Sequence, residues 1–161
     1  MATEVRMRAE GIRPFDRERI GEALRAAGIS FFRGEEGQFL VLVGSRMTPY
    51  SAVVTLSAEG VDGDVLAVRA LVRGVVGLSR EEALEKANAW NKGRRWPRAY
   101  VDDDGDLMLD FHLDMEEGIH TPFLARTVQT VLTGVELFTL WLDGKEGVLE
   151  ALMEDSGSDG A

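Results

Sequence analysis

The sequence predicts an α+β domain in which helices pack on an antiparallel sheet. Three observations support this class: short helical segments have recognisable caps, extended segments occur in runs between them, and a long apolar helical stripe ends the pattern. The predicted order is one helix, four strands, a second helix, two strands and a third helix. A chain of 161 residues suffices for one hydrophobic core. We expect an N-terminal extension over residues 1–13, a single domain over 14–153 and a disordered acidic tail over 154–161.

The first helix is predicted to begin after Asp16 and to end before Gly28. Asp16 has the residue type of an N-cap, and Phe15 and Ile20 stand around it at the spacing of a hydrophobic staple. Gly28 tolerates the left-handed conformation in which many helices end. Both ends of this helix can therefore be read from local residue types.

Four extended segments follow the first helix and indicate an antiparallel sheet. Short, turn-rich connections join most of them, which is typical of sequential hairpins. In the fourth segment apolar residues alternate with Arg69 and Arg73, so one face of that strand should be buried and the other solvated. The segments span residues 29–33, 38–44, 50–58 and 65–73.

The second helix is predicted to begin after Ser79 and to close at Gly93. Glu82 stands three residues after Ser79, the pattern of a reciprocal capping box. Pro97 prevents a helix from continuing and favours an extended residue before it. The inward stripe of this helix is expected to contain Ala83, Leu84 and Ala87, continued by Trp90 or Asn91.

A hairpin and a long helix complete the predicted domain. Strands at 98–101 and 107–115 flank Asp104-Gly105, a dipeptide that suits the positive φ angles of a type I′ turn. Thr121 and Pro122 have the residue types of an N-cap and a first helical position. The apolar stripe of the last helix has the spacing of a helix that lies across a sheet, and consists of Leu124, Val128, Val131, Val135, Phe138 and Leu142.

The net charge of −10 is distributed unevenly along the chain. Residues 1–101 carry 16 Lys and Arg against 13 Asp and Glu, giving +3, whereas residues 102–161 carry 2 against 15, giving −13. Such an acidic field repels nucleic-acid phosphate and speeds encounter with a basic partner. The alternative is that the acidic blocks at 102–117 and 143–161 are solvated turns and a tail that keep the protein soluble.

The sequence also predicts a cytoplasmic protein without a membrane span. The N-terminus has no apolar run of signal-peptide length. Arg126, Gln129 and Glu136 interrupt the longest apolar region, residues 123–142, which is short of the about 18 uncharged residues that a spanning helix needs. The absence of cysteine excludes disulfides and thiolate chemistry.

The residues that could support catalysis or metal binding do not form a convincing site. Asp110, His112 and Asp114 alternate along one strand and could face a metal together, but a solvated strand face is the default interpretation. The acidic run 102–106 lacks the glycine and glutamate positions of a calcium loop, and His120 is interpreted as structural. No glycine-rich phosphate loop is present, which argues against nucleotide binding. We therefore expect no catalytic residues, no cofactor and no resident metal.

Two binding alternatives depend on the aromatic linker between the second helix and the hairpin. A basic cluster there could track phosphates while Trp96 and Tyr100 stack on bases, although positive charge after a helix C-terminus also offsets the helix dipole. Direct nucleic-acid binding is therefore unfavoured. A small-ligand sensor would instead need an apolar cavity that Trp90 and Trp96 could line. The basic cluster consists of Lys92, Arg94, Arg95 and Arg98.

The order of these features resembles the YbjN-domain family of small bacterial proteins, whose fold is like that of type III secretion chaperones. The resemblance covers residues 14–143 and is carried by Gly28-Ile29 after the first helix, the Trp90-Asn91 and Trp96-Pro97 pairs, and the final apolar helix. It implies a homodimeric or oligomeric interaction module, in a family associated with sensory or stress-response regulation. No catalytic residues are implied.

We therefore expect a non-enzymatic, chaperone-like homodimer that binds a client protein. The acidic blocks predict a basic client, such as one that itself binds nucleic acid. Two predicted strands carry apolar residues on both faces, so one copy could leave apolar surface for a partner. The alternative is that helices of the same chain cover both faces of these strands. The candidate interface residues are Leu40, Leu42, Val53 and Val54.

Overall fold

The structure, a computed structural model, describes residues 11–147 of the chain. These residues form three helices: α1 (Arg17–Ala26), α2 (Arg80–Gly93) and α3 (Thr121–Leu142). The expected tail at 154–161 and most of the expected N-terminal extension lie outside the described residues. The strands are β1 (Ile12–Arg13), β2 (Phe32–Arg33), β3 (Phe39–Gly44), β4 (Ser51–Glu59), β5 (Val65–Arg73), β6 (Arg98–Val101), β7 (Leu107–Asp114) and β8 (Ile119–His120).

Six strands form one antiparallel sheet in the order β2-β3-β4-β5-β7-β6. The four sequential strands lie side by side, and the second hairpin joins the sheet through β7, so that β6 forms the far edge. Strand β2 pairs Phe32 with Leu40 and Arg33 with Phe39, at the start of β3 only. The predicted α+β class is confirmed, as is the order of its main elements.

All three helices lie on the same face of this sheet. Helices α1 and α3 pack on each other and on β4, and α3 also reaches β3. Helix α2 packs along β6 and joins the same core through Trp90, whose ring meets Phe138 of α3 edge-on at 5.0 Å. We call this side the helix-covered face. Its central cross-sheet row is fully buried and consists of Val41, Val54, Ala70, Leu109 and Ala99.

The predicted helix caps are confirmed in detail. The Asp16 carboxylate accepts a hydrogen bond from the Arg19 amide at 3.1 Å. At the other end of α1, Gly28 has a φ of 70° and the Ile29 amide donates to the Leu24 carbonyl at 2.9 Å, a Schellman ending. Helix α2 has the predicted reciprocal capping box between Ser79 and Glu82.

Several local predictions are wrong, each for a physical reason. Leu84 is 48% exposed because α2 lies at the edge of the sheet and buries only a narrow stripe. Helix α3 begins at Thr121, so His120 holds the N-cap position and makes no side-chain cap. The hairpin between β6 and β7 is not a type I′ turn, because Gly105 alone has a positive φ there and Asp102 closes the turn through its side chain.

A second, two-stranded sheet was not predicted from the sequence. Strand β1 lies in the segment expected to be an extension, and it pairs with β8 just before α3. Arg19 holds this junction, although it is only 3% exposed: its guanidinium donates to the Ile119 carbonyl at 2.7 Å and to the Thr121 hydroxyl at 3.0 Å. Burial lowers the pKa of this arginine.

None of the helices within residues 11–147 combines the length and the hydrophobicity that a membrane-spanning helix needs.

Candidate interaction surface

The face of the sheet opposite the helices carries a continuous apolar row. We call this side the outer face. The strand register places one row of side chains from five neighbouring strands directly beside one another. No helix among residues 11–147 packs on this row, so apolar surface stays in contact with solvent; Leu42 is 67% exposed. The row consists of Leu42, Val53, Leu71, Met108 and Tyr100.

A second row beside the first changes from apolar to ionic across the sheet. At the β2 edge it begins with Phe32, which is 63% exposed, and Leu40, which is half-buried. Thr55 follows, and the row continues through the side chains of β5, β7 and β6. The ionic end consists of Arg69, Asp110 and Arg98.

These charged side chains hold one another through hydrogen bonds. Arg98 donates to both oxygens of Asp110, at 2.9 and 2.7 Å. Arg69 makes a two-contact ion pair with Glu59, and its guanidinium also lies 3.3 Å from a ring nitrogen of His112. The hydrogen bond from Arg69 lowers the pKa of Glu59, and the hydrogen bond to Asp110 raises the pKa of Arg98. The outer face therefore combines an apolar row with a neutralised ionic cluster.

The alternating Asp110, His112 and Asp114 do share this face, as their spacing predicts, but they do not converge on one point. Asp110 is only 6% exposed and is committed to Arg98. The carboxylate of Asp114 instead accepts a hydrogen bond from the Glu116 amide at 2.9 Å, in the following turn. The His112 ring lies 3.9 Å from the Asp110 carboxylate, whose two oxygens already accept hydrogen bonds from Arg98, so the arrangement fixes side chains on the sheet.

The four predicted interface residues separate between the two faces. Leu40, Leu42 and Val53 lie on the outer face, within or beside the apolar row. Val54 points the other way and is completely buried on the helix-covered face, because side chains alternate along a strand. Val54 is thus a core residue, and the surface extends instead to β5, β7 and β6.

The predicted basic cluster is also divided by the fold. Arg98 belongs to the outer face, whereas Arg94 packs over the ring of Trp90 at 5.3 Å and pairs with Glu146 on the helix side. Arg95 is exposed in the linker, and Lys92 is exposed at the end of α2. The four cations do not form one strip that a nucleic-acid backbone could follow.

The two tryptophans of the linker region have different environments. Trp90 is 2% exposed, and its indole nitrogen donates to the Pro97 carbonyl at 2.8 Å. Trp96 is 53% exposed and touches Phe111 edge-on at 5.9 Å. Trp96 lines a cleft beside α3 and the buried Trp90 does not, so this cleft is not the one between the two indoles that the sensor alternative required.

The acidic turn between β6 and β7 brings three carboxylates together at the molecular surface. One oxygen each from Asp102, Asp104 and Asp106 lies within 4.8 Å of the others. Asp102 already accepts hydrogen bonds from the amides of Asp104 and Asp106, at 3.0 and 2.9 Å. These bonds explain the aspartates as turn-forming residues, and they leave the turn strongly negative.

Comparison with known proteins relates this arrangement to one family. A sequence model of the YbjN family matches residues 16–144, which is most of the chain. The chain belongs to the YbjN family. The family is described as a "putative bacterial sensory transduction regulator", a description that concerns regulation and not catalysis. The resemblance stated from the linker motifs is therefore confirmed.

A solved structure of the family has the same fold. The crystal structure of YbjN from E. coli, described as a "putative transcription regulator", has a TM-score of 0.63 and 16% sequence identity, over 83% of this chain and 94% of that chain. A chain from the HopA1–SchA chaperone–effector complex has a TM-score of 0.49 and 15% identity, over 83% of this chain and 99% of that chain. No curated protein matches the sequence.

Proposed function

We propose that this YbjN-family protein is a non-enzymatic interaction module that pairs with a second copy through its outer face and binds a basic client protein in a regulatory role. The observation that carries the proposal is the row of five apolar or aromatic side chains, of which Leu42 is 67% exposed and the others are half-buried, on a sheet face that no helix of residues 11–147 covers. Contiguous apolar surface of this kind is rare on monomers and is typical of interaction sites. A second sheet stacked on the row would remove it from water.

The charges at the two ends of the outer face favour a second copy as the partner. Arg73 lies at one end of the sheet, and Asp114 lies at the other end, beside the ion pair of Glu59 with Arg69. A two-fold axis that runs across the strands brings row against row and reverses the strand direction. The positive end of one subunit then lies towards the negative end of the other. The surface is in this sense self-complementary.

The first test is the mass of the protein in solution. Light scattering should return twice the chain mass of 17.7 kDa. Leu42→Lys places a charge in the row at an exposed site and should weaken dimerisation roughly tenfold or more. Val61→Lys is the matched control, because Val61 is fully exposed in the β4–β5 turn, away from the row. A monomer at every protein concentration would reject the dimer.

The acidic turns near the sheet supply the proposed attraction for a basic client. Residues 102–117 contain eight carboxylates and no Lys or Arg. Of these, Asp110 is paired with Arg98, while the exposed carboxylates of the β6–β7 turn and of Glu116 and Glu117 face solvent. Opposite charge at the rim of an interface raises the association rate, and salt screens this effect.

A binding experiment can separate this attraction from the dimer. A labelled lysine-rich peptide should bind the wild-type protein with strong salt dependence, measured by fluorescence anisotropy. The double variant Glu116→Gln with Glu117→Gln should weaken binding several-fold. Glu81→Gln with Glu85→Gln makes the same charge change on exposed positions of α2 and should leave affinity unchanged. Equal loss in both double variants would contradict a client site at the acidic turns.

A further inference from the structure

A second candidate site lies on the helix side of the molecule, away from the outer face. A cleft of about 430 Å³ separates the exposed side of α3 from the segment that joins α2 to β6. We call it the linker groove. The linker contributes Arg94, Arg95 and Trp96 to its lining. Helix α3 contributes Arg126, Gln129 and Thr133.

The charge of the linker groove is opposite to that of the whole chain. Three arginines line it and no carboxylate does, whereas the chain carries −10. Arg94 is partly neutralised by Glu146. Arg95 and Arg126 are exposed and make no ion pair with any carboxylate in residues 11–147. Guanidinium groups bind phosphate and carboxylate oxygens through paired hydrogen bonds, so the groove is suited to an anion.

Trp96 adds an aromatic surface to this charged groove. Its indole is 53% exposed, although tryptophan is usually well buried in a folded domain. The edge-on contact with Phe111 at 5.9 Å supports the ring from one side. A planar ligand ring could stack on the remaining indole surface, an interaction that is largely independent of the identity of the base.

The fold holds the two walls of the groove together at Gly134. This glycine of α3 is buried, and a Cβ atom at its position would lie 2.7 Å from the Pro97 ring and 3.3 Å from the Trp96 carbonyl oxygen. The linker can therefore approach the helix backbone closely only because residue 134 has no side chain. Trp96 and Arg126, thirty positions apart in the sequence, are placed on one groove without rearrangement of the main chain.

We propose that the linker groove binds a small nucleoside phosphate, with the base stacked on Trp96 and the phosphates held by Arg95 and Arg126. Thr133 and Gln129 offer a hydroxyl and an amide for the sugar. No glycine-rich phosphate loop is needed, because side-chain guanidinium groups supply the donors. A mononucleotide fits better than a nucleic-acid strand, since the acidic chain repels a polyanion along its whole length.

The test uses the full chain and ADP as the probe. Titration calorimetry should show saturable binding, and the indole N–H signal of Trp96 should shift in NMR spectra while that of buried Trp90 moves little. Arg126→Gln should lower the affinity about tenfold or more, because a charged hydrogen bond is lost. Trp96→Leu should lower it by a similar factor. Arg46→Gln, at an exposed loop position outside the groove, should have no effect.

Three outcomes would overturn the proposal. The first is no saturable binding at millimolar ADP. The second is inorganic phosphate binding as tightly as ADP with no effect of Trp96→Leu, which would show an unspecific anion site. The third is a short single-stranded oligonucleotide binding far more tightly than ADP, which would assign the groove to nucleic acid. Since the groove and the outer face are on opposite sides, the dimer measurements are unaffected by any of these results.

Discussion

Replacing Trp90 by phenylalanine should destabilise the protein by about 2–4 kcal/mol. The indole nitrogen of Trp90 donates to the Pro97 carbonyl inside the core, and phenylalanine leaves that carbonyl without its partner. An unsatisfied buried acceptor costs about 1–3 kcal/mol. The smaller ring also leaves a void; at roughly 24 cal/mol per Å³, about 40 Å³ adds about 1 kcal/mol.

Urea unfolding followed by circular dichroism, at one fixed protein concentration, measures this loss. Thermal melting provides a second measurement: a domain of this size changes its melting temperature by about 2–4 °C per kcal/mol, so we expect a fall of roughly 5–15 °C. Trp141→Phe is the matched control, since Trp141 is half-buried and makes no indole hydrogen bond within residues 11–147. If the two variants lose the same stability, the Trp90–Pro97 bond does not hold the linker on α2, and the reasoning is refuted.

Three further substitutions test other parts of the fold. Arg19→Met should cost about 2–4 kcal/mol in urea unfolding, because several carbonyls at the β1–β8 junction lose their donor; partial recovery with lysine would confirm the donor role, and an unchanged midpoint would contradict it. Gly134→Ala gains about 1 kcal/mol of helix propensity and loses about 1–3 kcal/mol by overpacking against Pro97, so thermal melting should show a net loss. Glu59→Gln tests a pH dependence: the folded-state pKa of Glu59 lies below its ordinary 4.5, so its contribution is present above that pH and is lost as the pH falls through the folded value. The stability advantage of wild type over Glu59→Gln should therefore shrink below pH 4.5, and an advantage that grows in acid would exclude the Arg69 pairing as its cause.

The features that the sequence predicts well are those set by neighbouring residues. The Asp16 cap, the Gly28 ending and the capping box at Ser79 each depend on three or four consecutive positions, and the structure contains all of them. Strand segments and the pairing of sequential strands follow from short connections, whereas the pairing of β5 with β7 across α2 and β6 does not. Local residue types were therefore sufficient for the element order and for the α+β class.

The features that the sequence predicts poorly depend on distant parts of the chain. Val53 and Val54 are adjacent and both apolar, and only the placement of the helices decides which is core. Arg19 is a charged residue in an amphipathic helix, a pattern that indicates exposure. It is buried because the Ile119 carbonyl of β8, 100 positions away, accepts its hydrogen bond. The linker groove likewise depends on two segments that are distant in the sequence. The polar residues of α3 that line it were the sequence feature that could have indicated it.

The incomplete pairing of β3 leaves part of one sheet edge without a strand partner among residues 11–147. Since β2 covers only Leu40 and Phe39, the backbone donors and acceptors from Val41 to Gly44 face no other strand of the described chain on that side. An extended segment could pair there in the plane of the sheet, whereas stacking on the outer face occurs perpendicular to that plane. The two modes use different atoms: main-chain amides along an edge, and side chains across a surface. A segment paired at the edge therefore leaves the side chains of the outer face available, except at Leu42, which belongs to both surfaces.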